Sequence, residues 1–586
     1  MKHEWLSLSR RSALKLTGKV AGAAGAAGLF AVYPGRRSFA SSAREFAIAI
    51  EARQIVVDGV ASDAISMGGS VPAPTMRWRE GEEVTIQVTN RLHEPTSVHW
   101  HGLLIDGLMD GAPGFNAFAP IEPGSTFTYR FKLRQSGTYW YHSHSGLQEQ
   151  AGMYGAIVIE PAGRDVVRTD RDYVVLLSDH LREHPMRVLA KLKADAGYYN
   201  RGKRTLLDFF RDAGRDGFNA AFRDRLEWGE MRMDPTDLAD VTGYAFLVNG
   251  RGPNDNWTAL FNPGERVRLR FINASAMSFF DVRIPGLPMT VIAADGQNVQ
   301  PVRIDEFRFG VGETYDVIVL PREDKAFTIF AEPIDRSGFA RATIAPREGM
   351  EGPVPEQRPR TILSMADMGM AHAGMDHAPP DHATPGMDHA AMGHTMPQAE
   401  AAGAAAADHS AMGHGPMNHG ATSATAATGG GPLGWSDAST PPGAKSLTYA
   451  DLRAATRNAD AREPSQEIVV RLTGVMERYM WNLNGRPFGM DEPIRVIHGD
   501  RVRISFINTT MMAHPMHLHG MFVELENGQA DRKPLKHVVV VPPGQTVSVR
   551  LTADEPGDWP FHCHLMYHMA AGMMTRLIVE PRRVPT

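Results

Sequence analysis

Apolar and polar residues alternate in short runs along most of the chain, a pattern typical of half-buried β-strands. The segment VRLRF at residues 267–271 is one such run, and turns containing Gly, Pro and Asn separate it from its neighbours. Asn-Gly turns stand at residues 249–250 and 484–485. Many short strands between such turns predict an all-β chain of sandwiches or barrels. Residues 190–232 are the exception, because apolar clusters lie there among many charges and favour helix.

One pattern occurs three times along the chain and predicts its domain organisation. A turn glycine is followed directly by an acid, then by valine and finally by asparagine, in residues 81–90, 264–273 and 499–508. The first and third copies also carry a Pro-Gly pair followed by a His-x-His pair, and the middle copy lacks these histidines. We therefore predict three β-domains, with metal ligands in the outer two and a structural middle domain. Their predicted bounds are 44–165, 166–354 and 436–586.

Composition is ordinary except for three residue types. Charged residues make up 22% and hydrophobic residues 43% of the 586 residues, as in soluble globular proteins. The net charge of −5 gives no basic surface for nucleic acid and no support for a membrane-surface role. The 24 His and 31 Met are residues that suit copper, and a single Cys excludes any disulfide within the chain. We expect a monomer.

The N-terminus resembles a twin-arginine export signal. Arg10 and Arg11 precede a weakly apolar stretch rich in Ala and Gly, and small residues near position 41 offer a cleavage site. We therefore predict a signal peptide over residues 1–43 and a periplasmic mature protein without stable membrane insertion. The alternative is an uncleaved anchor, which the short, Gly- and Ala-rich stretch disfavours.

A low-complexity segment over residues 355–435 separates the last two β-domains. Between residues 361 and 420 it contains eight His and nine Met, partly in Met-Asp-His and Met-Gly-His repeats. Such a composition cannot bury a core, so disorder without metal is expected. The alternatives are capture of a soft metal and a compositionally biased linker. The candidate ligands for substrate copper are Met375, His377, Met387 and His389.

Four His-x-His pairs predict a metal cluster. In a strand, residues i and i+2 point to one face and residue i+1 to the other, so each pair presents two imidazoles to one site. The pairs stand at matching points of the outer repeats: His99 and His101, His142 and His144, His517 and His519, and His562 and His564. Together they predict a cage of eight imidazoles, which suits several transition metals.

The single cysteine identifies the metal. Cys563 stands between two of these histidines, so its side chain is predicted to point to the opposite face of the strand. There it can join His568 and Met573, and His514 can supply a second imidazole. Two histidines, a thiolate and a distant methionine define a blue-copper electron-transfer site. One strand is therefore predicted to conduct electrons from a blue copper to the imidazole cage.

These motifs resemble those of the multicopper oxidases. They are His-Trp-His-Gly at 99–102, His-Ser-His at 142–144, His-Pro-Met-His-Leu-His at 514–519 and His-Cys-His at 562–564, followed by His568 and Met573. The resemblance implies three cupredoxin-like Greek-key domains and four copper ions. It assigns His514, Cys563, His568 and Met573 to type 1 copper, and His99 and His517 to type 2. It assigns His101, His142 and His564 to one type 3 copper, and His144, His519 and His562 to the other.

The export signal, the Met- and His-rich segment and a Met-Met pair before His514 resemble the copper-resistance branch of that family. This resemblance implies oxidation of cuprous ion, and often of phenols, coupled to reduction of dioxygen to water. Asp110 resembles an acid that supplies protons near type 2 copper; the alternative is a turn residue. Met512 is the candidate docking residue for cuprous ion, with core packing as the alternative. Thr510 and Met569 stand where some relatives carry acids.

Two other functions stay open from the sequence. One is a laccase-like oxidase of organic phenols, with the same coppers and different access to the type 1 site. The other is a non-enzymatic copper-sequestering protein, which the complete ligand set disfavours. The remaining histidines lack ligand spacing, and we expect structural roles for His93, His180, His184, His498 and His537.

Overall fold

The computed structural model describes residues 44–230, 234–360, 362–363 and 440–582. The described strands form six sheets, two for each of three sandwiches, which confirms the predicted all-β class. The predicted signal at 1–43 and the candidate copper ligands Met375, His377, Met387 and His389 lie outside the described residues. Among the residues that are described, no helix is both long and apolar enough to cross a membrane.

The first sandwich contains eight strands. They are β1 (Arg44–Val57), β2 (Val60–Met67), β3 (Ala73–Arg79), β4 (Glu83–Asn90), β5 (His99–His101), β6 (Thr126–Lys132), β7 (Gly137–His142) and β8 (Tyr154–Glu160). The sheet orders are β2-β1-β4-β6 and β3-β8-β7-β5. Burial alternates along β3 and β6, so one side of each strand faces a core that contains Trp78, Trp100 and Tyr129. This core holds β5 and β7, which carry the first two histidine motifs.

The second sandwich is the largest. Its strands are β9 (Arg171–His180), β10 (Ala245–Val248), β11 (Trp257–Leu260), β12 (Val267–Asn273), β13 (Phe280–Arg283), β14 (Met289–Ala294), β15 (Gln297–Ile304), β16 (Glu306–Phe309), β17 (Thr314–Val319), β18 (Phe327–Pro333), β19 (Ala340–Ala345) and β20 (Ser446–Leu447). The sheet orders are β10-β9-β12-β17-β14-β15 and β11-β19-β18-β13-β16-β20. Strand β20, which follows the low-complexity segment, pairs in parallel with β16, so the chain returns to this sandwich before it enters the third.

The third sandwich carries the two remaining histidine motifs. Its strands are β21 (Gln466–Val475), β22 (Met480–Leu483), β23 (Ile494–Ile497), β24 (Arg501–Asn508), β25 (His514–Leu518), β26 (Val523–Leu525), β27 (Leu535–Lys536), β28 (Val538–Val541), β29 (Thr546–Thr552), β30 (Gly557–Cys563) and β31 (Met574–Glu580). The sheet orders are β22-β21-β24-β29-β26-β27 and β23-β31-β30-β25-β28. Its core is continuous with that of the second sandwich.

The helical stretch expected at 190–232 is present and begins a few residues earlier. The described helices are α1 (Pro185–Ala194), α2 (Leu206–Asp216), α3 (Phe218–Glu230) and the short α4 (Met566–Ala570). Helix α1 starts after His184, whose ring nitrogen accepts a hydrogen bond from the Met186 amide at 3.2 Å. A capping box between Thr205 and Asp208 opens α2. The sequence therefore encodes these helix starts locally.

The asparagine that ends each sequence repeat has the same role in all three sandwiches. Asn90, Asn273 and Asn508 end strands β4, β12 and β24 and are buried. Their Nδ2 groups donate to backbone carbonyls in following loops, at 2.7 Å to Ile121, 2.9 Å to Ser278 and 2.7 Å to Met512. A buried carbonyl without a partner is unfavourable, so each amide stabilises a loop that no strand pairs. In the third sandwich this anchor fixes the loop before β25.

Candidate metal centre

The eight predicted cage histidines converge between the first and third sandwiches. Antiparallel pairing places His99 opposite His142 on β5 and β7, and His517 opposite His562 on β25 and β30. Each His-x-His pair lies within one of these strands or extends one or two residues beyond its end, so backbone pairing carries all four motifs to one place. Strand alternation predicted this convergence from sequence alone.

The cage divides into smaller groups by distance. His101 Nδ1 lies 3.4 Å from His142 Nε2 and 3.2 Å from His564 Nε2. In a second group, His562 Nε2 lies 3.4 Å from His144 Nε2 and 3.1 Å from His519 Nε2. These are the two trios that the resemblance assigns to type 3 copper. Imidazole nitrogens this close together are better placed to bind a shared metal ion than to hydrogen-bond to one another.

The remaining cage histidines, His99 and His517, form the group that the resemblance assigns to type 2 copper. Both Nε2 atoms are buried and have no hydrogen-bond partner among the described residues. Their Nδ1 atoms donate to backbone carbonyls, at 2.9 Å to Asp110 and 2.7 Å to His537. Because a carbonyl can only accept, these bonds fix the proton on Nδ1 and leave the Nε2 lone pair free for a metal.

Burial keeps eight of the predicted ligand histidines neutral. It lowers the pKa well below 6.5 for His101, His142, His144, His514, His517, His519 and His564, with neighbouring imidazoles adding to the effect. It lowers the pKa of His562 to about 4. A neutral imidazole always has one nitrogen with a free lone pair. The donor set therefore fits copper, which imidazole ligands suit.

Cys563 lies in a second, smaller site. Its Sγ is 3.6 Å from His514 Nδ1 and 3.8 Å from His568 Nδ1, and these two nitrogens are 3.2 Å apart. All three side chains are fully buried. The thiol thus points away from the two flanking histidines, which belong to the cage, as strand alternation predicts. Burial raises the pKa of the thiol, so its ionisation there requires a cation, which a bound metal provides.

Residues from other elements hold the far nitrogens of this site. His568 Nε2 lies 2.6 Å from Asp240 Oδ2, which also accepts a hydrogen bond from the Tyr479 hydroxyl at 2.7 Å. His514 Nε2 lies 2.7 Å from Thr510 Oγ1. Asp240 comes from the loop before β10. The middle domain therefore contributes to this site, although it has no His-x-His pair and was predicted to be structural. Sequence reasoning missed Asp240 and Tyr479 because neither belongs to a recognisable spacing.

The Asp240 carboxylate should influence the type 1 position electrostatically. We expect Asp240→Asn to raise the reduction potential of the blue site, because a nearby negative charge favours the cupric state. We also expect copper at this site to bind about tenfold more weakly, which is typical when a ligand histidine loses its hydrogen-bonded carboxylate. A redox titration that follows the blue absorption measures the first effect, and copper competition measures the second.

Asp237→Asn is the matched control for that measurement. Asp237 lies in the same loop, and its pKa is raised by burial and by the carboxylates of Asp240 and Asp234. Its replacement by an amide therefore changes the local charge less. Equal shifts of potential in the Asp237 and Asp240 variants would contradict a specific role for Asp240.

Two buried acids contact the cage. Asp110 Oδ2 lies 2.8 Å from His519 Nδ1, and Asp110 Oδ1 lies 3.3 Å from His99 Nδ1. This carboxylate therefore links a predicted type 2 ligand with a predicted type 3 ligand. Glu149 Oε2 lies 2.7 Å from His142 Nδ1, a contact that sequence reasoning missed. Glu149 lies in a buried turn shortly after the His-Ser-His motif. Its closeness to that motif is the sequence signal by which it could have been found.

The two predicted methionines of the blue site are both buried. The Met573 carbonyl accepts a hydrogen bond from the Cys563 amide at 3.0 Å, which places this residue beside the thiol. Its role as axial ligand stays a prediction. Met512 is only 6% exposed and packs in the shared core, as the packing alternative expects. Its role in docking cuprous ion also stays a prediction.

The histidines expected to be structural differ among themselves. His180 Nε2 lies 2.8 Å from Ser62 Oγ, His184 caps α1, and His498 Nε2 lies 3.2 Å from the Asp554 carbonyl. His537 has no such partner within the described chain, although it is only 1% exposed. It instead forms a possible metal-binding group with His101 and His517.

The sequence is similar to known copper proteins along most of its length. Family models described as multicopper oxidase match residues 49–164, 171–348 and 461–583. The chain is 47% identical to a copper resistance protein A homolog of Pseudomonas syringae pv. tomato, over 92% of this chain and 93% of the relative. It is 46% identical to copper resistance protein A of Escherichia coli, over 98% of this chain and 100% of the relative.

Solved structures show the same fold. Fet3p, described as a multicopper oxidase that functions in iron import, superimposes with a TM-score of 0.63 at 18% identity, over 92% of this chain and 90% of Fet3p. The laccase from Botrytis aclada superimposes with a TM-score of 0.62 at 20% identity, over 92% of this chain and 88% of the laccase. At such identities the likeness concerns the fold alone, and it confirms the cupredoxin-like domains.

Proposed function

The chain belongs to the multicopper oxidase family, in its copper-resistance branch, and from this we propose that it oxidises cuprous ion with dioxygen as the electron acceptor. Phenols would serve as additional substrates. The proposal includes one type 1, one type 2 and two type 3 coppers, export to the periplasm by the twin-arginine route, and a monomeric enzyme. The oxidation would convert cuprous ion to cupric ion, in keeping with the copper-resistance relatives.

One observation carries the proposal: a single strand end serves both sites. Cys563 Sγ groups with His514 and His568, whereas His562 and His564 group with the two trios of the cage. A short covalent path therefore runs from the thiol through the backbone to an imidazole of each trio. This is what electron transfer from a one-electron site to a multi-electron site requires.

The Cys563 site and the imidazole cage would hold copper, which would supply the redox chemistry of dioxygen reduction. The chain excludes water by burial and fixes ring orientation through backbone carbonyls and carboxylates. Asp110, between His99 and His519, is placed to deliver protons that water formation consumes. Glu149 orients the His142 ring by accepting from its Nδ1.

Burial at the blue site favours a small substrate. His514 and His568 are both fully buried, and Thr510 and Asp240 occupy their outward nitrogens. A bulky phenol cannot contact either ring directly through the described residues, so phenols would be the slower substrates. This supports cuprous ion over the laccase-like alternative, in which an organic ring approaches a ligand histidine.

Oxygen uptake with cuprous ion and with a bulky phenol as separate substrates tests the choice, since faster turnover of the phenol would favour the laccase-like function. Copper binding without any oxygen uptake would favour the non-enzymatic alternative.

The Met- and His-rich segment is expected to feed the blue site with cuprous ion. The described chain before it ends at Leu363, whose amide donates to the Pro235 carbonyl at 2.9 Å, in the loop that carries Asp240. We expect replacement of residues 364–435 by a Gly/Ser linker to lower kcat/KM for cuprous ion about tenfold, which is roughly 1.4 kcal/mol. Phenol oxidation should be unchanged or faster. Steady-state oxygen uptake with each substrate provides the measurement.

A second variant separates ligand loss from segment loss. It keeps the length of residues 364–435 and replaces only their His and Met residues by Ser and Ala. We expect it to match the linker variant with cuprous ion. Equal loss of both activities, or full cuprous activity in either variant, would contradict a role for the segment in delivering copper.

A further inference from the structure

A buried group of one lysine and two acids joins the second and third sandwiches. Lys536 Nζ lies 3.1 Å from Asp295 Oδ2 and 2.9 Å from Glu313 Oε1, and all three side chains are at most 1% exposed. Lys536 lies on β27, whereas the two acids lie in turns of the second sandwich. Replacing such a group by apolar side chains of similar size is often neutral or stabilising, so stability alone does not explain its presence.

Asp295 also holds the backbone that follows Lys536. Its Oδ2 accepts hydrogen bonds from the amides of His537 and Val538, both at 3.1 Å. Its Oδ1 accepts a hydrogen bond from the Thr314 amide at 3.1 Å, within the second sandwich. One carboxylate therefore fixes two successive peptide groups of the third sandwich to a turn of the second.

The second of these peptide groups leads to the cage. The Val538 amide and the His537 carbonyl belong to the same planar peptide, and in a trans peptide the two point in opposite directions. The hydrogen bond from Val538 to Asp295 therefore also sets the direction of the His537 carbonyl. That carbonyl accepts the Nδ1 proton of His517 at 2.7 Å. A chain of contacts thus runs from Asp295 through one peptide group to a predicted type 2 ligand.

The two predicted type 2 ligands are held in different ways. His99 Nδ1 lies 2.9 Å from the Asp110 carbonyl and 3.3 Å from the Asp110 carboxylate, both in its own sandwich. Within the described chain, the His537 carbonyl is the hydrogen-bond partner of His517 Nδ1. The orientation and tautomer of the His517 ring therefore depend on a peptide group that the second sandwich fixes.

Lys536 and Glu313 keep the Asp295 carboxylate in its accepting form and in place. Burial raises the pKa of Asp295, but the Lys536 ammonium and the donating amides outweigh burial and hold this pKa below its ordinary value. An ionised carboxylate accepts hydrogen bonds more strongly than a neutral one. Glu313 Oε1 in turn accepts from the Tyr449 hydroxyl at 2.7 Å, and that hydroxyl accepts from the Val540 amide at 2.9 Å.

We propose that Asp295, supported by Lys536 and Glu313, is a positioning residue for type 2 copper. Through the peptide between residues 537 and 538 it fixes the His517 ring with its Nε2 free for the metal. The proposal rests on the proposed function, since it assumes copper at that position. It gives the second sandwich, which carries no His-x-His pair, a defined part in the cage.

Electron paramagnetic resonance of type 2 copper tests the proposal. In the Cys563→Ser background the type 1 signal is absent and a coupled type 3 pair is silent, so type 2 copper is observed alone. Asp295→Asn has one side-chain oxygen, which cannot accept from Thr314 and from both peptide amides. We expect this variant to release type 2 copper to a chelator about tenfold more readily, as for other losses of support behind a ligand histidine. The copper and nitrogen hyperfine couplings of the signal should also change.

A second variant tests the support for Asp295 separately. Lys536→Met combined with Glu313→Gln removes one positive and one negative charge, so the net charge of the buried group stays the same. We expect a smaller release of type 2 copper in this variant, and no further release when it is combined with Asp295→Asn, because all three residues act on the same peptide. Fully additive losses, or tight type 2 copper with parent couplings in this variant, would contradict that shared action.

Asp281→Asn is the matched control. Asp281 is a buried carboxylate of the same sandwich, paired with Arg308 at 2.7 Å and Arg336 at 2.6 Å. Its replacement should lower the melting temperature and leave the type 2 signal unchanged. Equal changes of the signal in the Asp281 and Asp295 variants, or unchanged type 2 copper in Asp295→Asn, would overturn the proposal and leave Asp295 a role in stability only. Absence of any type 2 signal in the Cys563→Ser parent would instead contradict the proposed function itself.

Discussion

Replacing Cys563 by serine should remove the blue colour and the oxidase activity together. A serine hydroxyl does not ionise in this buried site and does not provide the polarisable sulfur that defines a blue-copper centre. Electrons then have no route from substrate to the cage. We expect turnover to fall by more than about 100-fold, because loss of a hydrogen bond behind a metal ligand alone costs up to that much. Visible absorption and oxygen uptake on the same sample measure both effects.

Copper analysis shows whether the loss is local. The cage histidines do not contact the serine side chain, because strand alternation turns it to the other face of β30. The Cys563→Ser protein should therefore keep its type 2 signal and lose one copper per chain relative to the parent. A blue, active Cys563→Ser protein would refute the proposed electron path. Loss of all copper would show that the two sites cannot be filled separately.

Replacing Asp110 by asparagine should slow dioxygen reduction and leave the blue site intact. The carboxylate contacts His99 and His519 within the cage, and the blue site lies on the far side of β30. We expect kcat to fall about 10- to 100-fold, within the range for loss of a positioned proton donor or of a ligand's carboxylate partner. Oxygen uptake measured over a range of pH, together with the blue absorption, checks both parts.

Asp106→Asn is the matched control for Asp110. Asp106 stands in the same turn, but its side chain is exposed and makes no capping hydrogen bond. It should therefore leave turnover unchanged. If Asp110→Asn kept full turnover with the same pH dependence, Asp110 would be a turn residue and not a proton donor.

The sequence predicted the placement of residues where strand alternation or the internal repeat determines it. Alternation along β30 predicted opposite directions for Cys563 and its neighbours, and the repeat predicted three sandwiches before any contact was known. Contacts between distant single residues left no such pattern. His568 was predicted as a ligand, but its partner Asp240 is 328 residues away in a stretch that carries no motif. His537 likewise belongs to no motif, and only folding brings it beside Gly102.

The pairing of β30 also limits how this protein can evolve. Cys563 lies opposite Met516 and His562 opposite His517, with β31 on the other side of the strand. Insertion or deletion of one residue within β30 would turn the thiol toward the cage and the imidazoles toward the blue site, and both centres would be lost in one step. Homologues should therefore vary this strand by substitution only, and length changes should accumulate elsewhere, above all between residues 364 and 435.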